Sequence, residues 1–153
     1  MTKIDERAHV PPVDDAARQR LAAALDREGV VAAMLIGSQA RGTPSPLSDV
    51  DVAVWLDPAL SGAERAELRA RLDRSSAAAL RTDEVDLVIL NGAPPLLVHR
   101  ALRDGVLLVD RHRKARVRLE TSALSEYFDT APLRQARAQA LRDRLESGTF
   151  GRP

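Results

Sequence analysis

Cysteine is absent from this 153-residue chain, so it can have no disulfide framework, no zinc–thiolate centre and no thiol nucleophile. Aromatic residues are scarce, with one Trp, one Tyr and two Phe, too few to build a base-stacking platform for single-stranded nucleic acid. The formal net charge is only +1, which argues against a general polyanion binder. We therefore expect no direct contact with nucleic acid.

Long hydrophobic runs are also missing. No apolar segment approaches the roughly 18 residues that a membrane span requires, and residues 1–6 are polar and contain no apolar signal core. We therefore expect a cytoplasmic protein with no membrane segment. The length predicts one domain, and a composition of 44% hydrophobic and 29% charged residues is that of an ordinary globular protein.

The apolar pattern predicts helices and strands that alternate along the chain. A continuous apolar run over 30–36 is typical of a strand buried on both faces. In the second strand, Val50, Val52, Val54 and Leu56 should share one face, and the intervening residues Asp49, Asp51, Ala53 and Trp55 should share the other. Helices are predicted over 14–28, 61–80 and 94–104, and strands over 30–36, 49–56, 85–90 and 106–109.

From Asp110 onward the pattern is helical, and Pro132 is expected to separate two helices. Tyr127 and Phe128 are expected in the core of these helices, and His99 and His112 are interpreted as structural because they lack metal-ligand spacing. The basic run over 111–118 is interpreted as a solvated helical face. In the first of these two C-terminal helices, the residues expected to share one face are Val117, Thr121, Leu124 and Phe128.

Acidic residues on two predicted strands form the most informative pattern in the sequence. Asp49 and Asp51 are two positions apart on a strand, so both carboxylates should project from one face. Like charges held there repel unless a cation lies between them, and carboxylate, water and phosphate oxygens are ligands that suit Mg²⁺. Asp86 on the third strand would add a third carboxylate, enough for two metal ions about 3.5–4 Å apart, as in phosphoryl or nucleotidyl transfer.

A glycine–serine pair at the end of the first strand is suited to phosphate. Gly37 allows a phosphate to approach the backbone closely, and Ser38 with nearby N–H groups would donate hydrogen bonds to phosphate oxygens. Arg41 would add a charge-assisted contact, and Gly42 permits the loop to turn. The simpler alternatives are that Ser38 only caps a helix and that Arg41 is a surface charge.

The combined motif resembles the signature of the DNA polymerase β-like nucleotidyltransferase superfamily. It reads GSQARG over 37–42 and SDVDV over 48–52, and with the VDLVIL segment over 85–90 it resembles the minimal (MNT) branch. The resemblance spans about 30–109 and implies an α/β (α+β) fold with a small mixed sheet and flanking helices. It implies a nucleotidyltransferase core over 13–109, with C-terminal helices over 110–148 packed on that core or on a partner.

The same resemblance implies a catalytic site for ATP and Mg²⁺, in which a glycine–serine pair holds the triphosphate and three acids hold two metal ions. Asp86 is preferred as the third acid over Asp83 and Glu84, because it lies inside the strand and they precede it. The positions that match the family's roles are Gly37, Ser38, Asp49, Asp51 and Asp86.

The MNT resemblance also implies a partner. Stand-alone bacterial MNT proteins resemble antitoxins that transfer AMP from ATP to a tyrosine of a HEPN ribonuclease toxin. The HEPN signature Arg-x4-His is absent here, because no Arg stands five positions before any of the three histidines. We therefore expect this chain to be the transferase half of a hetero-oligomer.

Two alternatives stay open. One is a small-molecule, aminoglycoside-like nucleotidyltransferase, although few residues follow Val109 to form an acceptor domain. The other is an antitoxin that acts by binding alone, which the three acids argue against.

Overall fold

The computed structural model describes residues 10–45 and 48–148. Over these residues the chain forms four strands and six helices. The strands are β1 (Val30–Ile36), β2 (Val50–Leu56), β3 (Val85–Ile89) and β4 (Val106–Asp110). The helices are α1 (Asp15–Leu25), α2 (Gly37–Arg41), α3 (Gly62–Leu80), α4 (Pro95–Asp104), α5 (Arg113–Asp129) and α6 (Ala131–Glu146). This alternation agrees closely with the elements predicted from the apolar pattern.

The four strands form one mixed sheet in the order β3-β2-β1-β4. β1 is antiparallel to both β2 and β4, whereas β2 and β3 are parallel. The register places Ile36, at the end of β1, opposite Asp51 near the start of β2. It also places Asp51 opposite Asp86 in β3. One end of the sheet therefore gathers the end of β1 with the beginnings of β2 and β3.

Both faces of the sheet are buried, as the continuous apolar run of β1 predicts. Every residue of β1 is buried. In β2, the four alternating residues Val50, Val52, Val54 and Leu56 join one core cluster. Ala53 and Trp55 join a second cluster on the other face. The helices α1 and α3 contribute to the first cluster, while α4 and α5 cover the second.

Local signals in the sequence set the helix ends. Asp14 caps α1 by accepting a hydrogen bond from the Ala17 N–H at 2.7 Å. Ser61 and Glu64 form the predicted capping box at the start of α3. Thr130 separates α5 from α6, and Pro132 lies in the first turn of α6, where its missing N–H costs no helical hydrogen bond. The predicted break before the last helix is therefore confirmed.

The prediction that Phe128 lies in the core of the C-terminal helices is wrong. Val117 and Phe128 are 46% and 65% exposed, whereas Ala115, Leu119 and Ala123 pack against the sheet. Two alanines let the helix approach the sheet closely, and larger side chains at those positions would hold it away. For this helix, close approach to the sheet decides which face is buried.

Tyr127 lies at the contact between α4, α5 and α6 and not, as was predicted, in a hydrophobic core. Its ring stacks on His99 of α4, with centroids 3.9 Å apart and an interplanar angle of 5°. The guanidinium of Arg134 in α6 lies 3.8 Å from the centre of the same ring. The predicted structural role of His99 agrees with this packing contact.

Over residues 10–45 and 48–148, no helix has the length and apolar character needed to cross a bilayer.

A buried and an exposed leucine provide a test of this packing. Leu21 is fully buried in the first core cluster, whereas Leu141 on α6 is largely exposed. Leu21→Ala should lower the free energy of unfolding by about 2–5 kcal/mol, because it leaves a cavity. Leu141→Ala should change it by less than about 0.5 kcal/mol. Urea unfolding of both variants measures the difference, and equal losses would contradict the assignment of the core.

Candidate active site

Two carboxylates meet at the end of the sheet where β2 and β3 begin. Asp51 and Asp86 are register partners on these parallel strands, and both line an open cleft of about 700 Å³. The walls of the cleft come from the ends of β1, β2 and β3, from the start of α2, and from one face of α4. The lining residues are Ile36, Gly37, Arg41, Asp51, Asp86, Val88, Leu97, Arg100, Ala101, Arg103 and Asp104.

The electrostatics of Asp51 reflect its crowded position. Burial raises the pKa of its carboxyl group, and the negative charges of Asp86 and Asp49 raise the pKa further. Arg41 acts in the opposite direction and lowers this pKa. The net shift is upward, so burial and the neighbouring acids together disfavour the ionised carboxylate of Asp51. Such a site favours a bound cation.

Gly37 makes room for Asp51. Its φ is +70°, a left-handed conformation that favours glycine. A Cβ built on Gly37 would overlap Oδ2 of Asp51. Both the backbone angle and the space therefore require glycine here, and the backbone of Gly37 lies directly against the carboxylate.

The rest of the motif forms the short helix α2. Its N-cap is Ile36, whose side chain offers no hydrogen bond to the first turn. The carbonyl of Ser38 accepts hydrogen bonds from the N–H groups of Gly42 and Thr43. Gly42 has a φ of +72° and ends the helix in the left-handed conformation. The predicted turn at Gly42 is observed, while Ser38 and Gly42 lie outside the residues that line the cleft.

Asp49 lies just outside the strand. β2 begins at Val50, one residue later than predicted, so Asp49 directly precedes the first residue of the strand. Asp49 is exposed and does not line the cleft, although its charge still reaches Asp51. Its role as a metal ligand stays a prediction.

The carboxylates fit a divalent cation as a pair. Among the residues that the structure describes, no group of three or more His, Cys, Asp or Glu side chains is arranged to hold a metal ion. Asp51 and Asp86 are nevertheless register partners on adjacent strands, and both line the open cleft. Two carboxylates together with waters and substrate phosphates are a typical Mg²⁺ donor set. These residues would therefore need a phosphate-bearing ligand to complete the shell.

Gln39 is a motif residue whose role the sequence did not indicate. It is 3% exposed, and its Oε1 accepts a hydrogen bond from the N–H of Val13 at 3.0 Å. This bond ties α2 to the segment that precedes α1. Because α2 is only five residues long, no periodicity could have indicated that Gln39 faces inward.

The wall formed by α4 was also missed. Leu97, Arg100, Ala101 and Asp104 line the cleft, and their spacing of three, four and seven residues places them on one helix face. Arg103 also lines the cleft and binds Asp104 through two hydrogen bonds of 2.8 and 2.7 Å. The spacing was available in the sequence, but nothing there indicated that this face lies opposite the acids.

Comparison with known proteins identifies the fold and the family. The family described as "Polymerase beta, Nucleotidyltransferase" matches residues 19–114. The chain belongs to this family. The matched segment of the nucleotidyltransferase includes every predicted site residue from Gly37 to Asp86. No curated protein sequence matches the chain significantly.

Solved structures of toxin–antitoxin complexes contain similar chains. A chain of a toxin–antitoxin crystal structure with AMP-PNP is 27% identical, with a TM-score of 0.64 over 82% of this chain and 98% of that chain. A chain of a variant MntA-HpeT toxin–antitoxin structure is 26% identical, with a TM-score of 0.60 over 80% and 93%. A chain from a tri-AMPylated Shewanella oneidensis HEPN toxin in complex with MNT antitoxin is 25% identical, with a TM-score of 0.59 over 82% and 96%. The expected mixed α/β fold of a nucleotidyltransferase is confirmed.

The contact between Gly37 and Asp51 can be tested by a double-mutant cycle. Gly37→Ala combines an unfavourable φ with overlap against Asp51, whereas Gly42→Ala has a similar φ and meets no atom within 4 Å. Gly37→Ala should therefore cost more unfolding free energy than Gly42→Ala, whose cost should be about 1 kcal/mol. In an Asp51→Ala background the cost of Gly37→Ala should fall toward that of Gly42→Ala. Urea unfolding gives the unfolding free energies of Gly37→Ala, Gly42→Ala, Asp51→Ala and the Gly37→Ala/Asp51→Ala double variant. If the losses of Gly37→Ala and Asp51→Ala simply add in the double variant, the contact is contradicted.

The charge on Asp51 predicts a pH-dependent stability. Because the fold raises the pKa of Asp51 above its ordinary value of 3.8, the ionised carboxylate weakens the metal-free fold. This penalty is absent well below pH 3.8 and develops as pH rises through the folded pKa. Asp51→Asn should therefore raise the unfolding temperature in EDTA at pH 7 and leave it little changed near pH 3. The exposed Asp83→Asn is the control, and a lower unfolding temperature for Asp51→Asn at pH 7 would contradict the shift.

Proposed function

We propose that this nucleotidyltransferase is a Mg²⁺-dependent protein adenylyltransferase that moves AMP from ATP to a tyrosine of a HEPN toxin. The observation that carries the proposal is the pair Asp51 and Asp86, which face an open cleft directly beside the backbone of Gly37. Carboxylates next to a glycine backbone suit a nucleoside triphosphate bound through a divalent cation.

The motif residues supply the nucleotide contacts. The N–H groups at the start of α2 and the hydroxyl of Ser38 would donate hydrogen bonds to the triphosphate, and Gly37 allows its close approach. Arg41 lines the cleft and would place a positive charge on the phosphates. Gly42 ends α2 in the left-handed conformation and so sets the path of the loop that leads to Asp49.

The acids carry the chemistry. Asp49, Asp51 and Asp86 would hold Mg²⁺, which when bound neutralises charge on the phosphates and on the attacking and leaving oxygens. Asp86 would accept the proton of the acceptor hydroxyl while the oxygen of that hydroxyl bonds to the α-phosphorus. The bond between the α-phosphorus and the bridging oxygen breaks, and pyrophosphate leaves. The products are an O-adenylylated acceptor and pyrophosphate.

The acceptor must come from another molecule. The one tyrosine of this chain, Tyr127, is stacked between His99 and Arg134 and does not line the cleft. Two observations on similar proteins support a toxin as the acceptor: one structure contains AMP-PNP, and another contains a tri-AMPylated HEPN toxin with an MNT antitoxin. We propose that residues 13–109 form the catalytic core and that the helices over 110–148 contact the partner.

The experiment is intact-mass spectrometry of the protein that co-purifies with this chain, with and without ATP and Mg²⁺. We expect the partner to gain one or more AMP masses with the wild-type chain. Asp49→Ala and Asp51→Ala should abolish the gain while the far-ultraviolet circular dichroism spectrum stays that of the wild type. Asp86→Asn should also abolish it, whereas Asp83→Asn, which lies before β3, should retain it.

Each other result selects a different function. A partner that binds but gains no mass, and is still neutralised by the Asp51→Ala chain, would mean that the protein acts by binding alone. Transfer of AMP to an aminoglycoside but to no protein would indicate a small-molecule nucleotidyltransferase. Transfer retained by both Asp49→Ala and Asp51→Ala would exclude the proposed metal site.

A further inference from the structure

The cleft contains charged groups that the motif does not explain. Besides Asp51 and Asp86, its lining includes one more acid, Asp104, and three arginines. Asp104 and Arg103 neutralise each other through their two hydrogen bonds. Over residues 10–45 and 48–148, no hydrogen bond or ion pair engages the guanidinium of Arg41 or of Arg100. Two arginines therefore remain available to a ligand in the cleft.

The position of Arg100 follows from its helix. It lies four residues before Asp104, a spacing at which arginine and aspartate commonly form an ion pair. Arg103 already occupies both oxygens of Asp104, so Arg100 has no intrahelical acid to bind. It is exposed, and its charge faces the cleft without a structural partner in the described part of the chain.

The helix that carries Arg100 is next to the phosphate motif. α4 packs against α2, and Gly37 at the start of α2 lines the same cleft as Arg100. A phosphate chain that follows the backbone of Gly37 would therefore run between α2 and α4. We propose that Arg100 binds the β- and γ-phosphates of the nucleoside triphosphate, opposite the contacts that α2 provides. The proposal rests on the nucleotide-dependent function proposed above.

Charge balance supports this position. The α-phosphorus would lie beside Asp51 and Asp86 for the reaction, and the remaining phosphates would follow the backbone of Gly37 toward α4. A triphosphate adds several negative charges to a site that already repels its own carboxylates. A planar guanidinium can bind two phosphate oxygens at once, which a lysine ammonium cannot do with the same geometry. Arg100 would thus hold the part of ATP that becomes the leaving group.

The test uses isothermal titration calorimetry of the full chain with AMP-PNP and Mg²⁺, and separately with AMP. Arg100→Ala should weaken AMP-PNP binding by about 10-fold to 100-fold, because a charge-assisted contact is lost. AMP binding should change far less, since AMP lacks the β- and γ-phosphates. Arg100→Lys should restore part of the loss. Arg74→Ala is the matched control, because it removes the same charge from α3, which packs on the opposite face of the sheet.

The outcomes separate this inference from the proposed function. Equal losses for AMP-PNP and AMP would overturn the assignment of Arg100 to the β- and γ-phosphates, and so would no loss in Arg100→Ala. Both results would leave the nucleotidyltransferase proposal intact, since the wild-type chain would still bind AMP-PNP. Failure of the wild-type chain to bind AMP-PNP would contradict the proposed function itself.

Discussion

The placement of two carboxylates, Asp51 and Asp86, side by side on adjacent strands is the constraint around which this end of the molecule is organised. Parallel pairing of β2 and β3 makes the two carboxylates neighbours, and packing against the end of β1 partly buries one of them. A fold does not gain stability from such a pair. We therefore propose that a ligand completes this pair of carboxylates.

The neighbouring groups fit the same constraint. Gly37 has no side chain where Asp51 needs space, and Arg41 offsets part of the negative charge. On α4, the close pair of Arg103 and Asp104 adds almost no net charge to the cleft, which leaves Arg100 as a further source of positive charge. The cleft therefore combines an acid end with cationic walls, as expected for a site that takes a metal ion together with a polyanion.

The sequence predicted the features that depend on short-range physics. Alternation along β2 assigned its two faces, the Ser61 capping box located the start of α3, and the spacing of glycine, serine and aspartates indicated the family. Features that depend on how helices pack against the sheet were not predicted. The face of α5 that packs on the sheet carries two alanines, and the face of α4 that lines the cleft is set by where the helix packs.

The most direct test of the account is a crystal structure of the chain with AMP-PNP and Mn²⁺, with anomalous scattering used to locate the metal. We predict a manganese peak in contact with the carboxylates of Asp51 and Asp86, and a triphosphate between the starts of α2 and α4. A metal bound away from these two acids would contradict the account. So would a nucleotide in the groove beside Trp55 at the opposite end of β2.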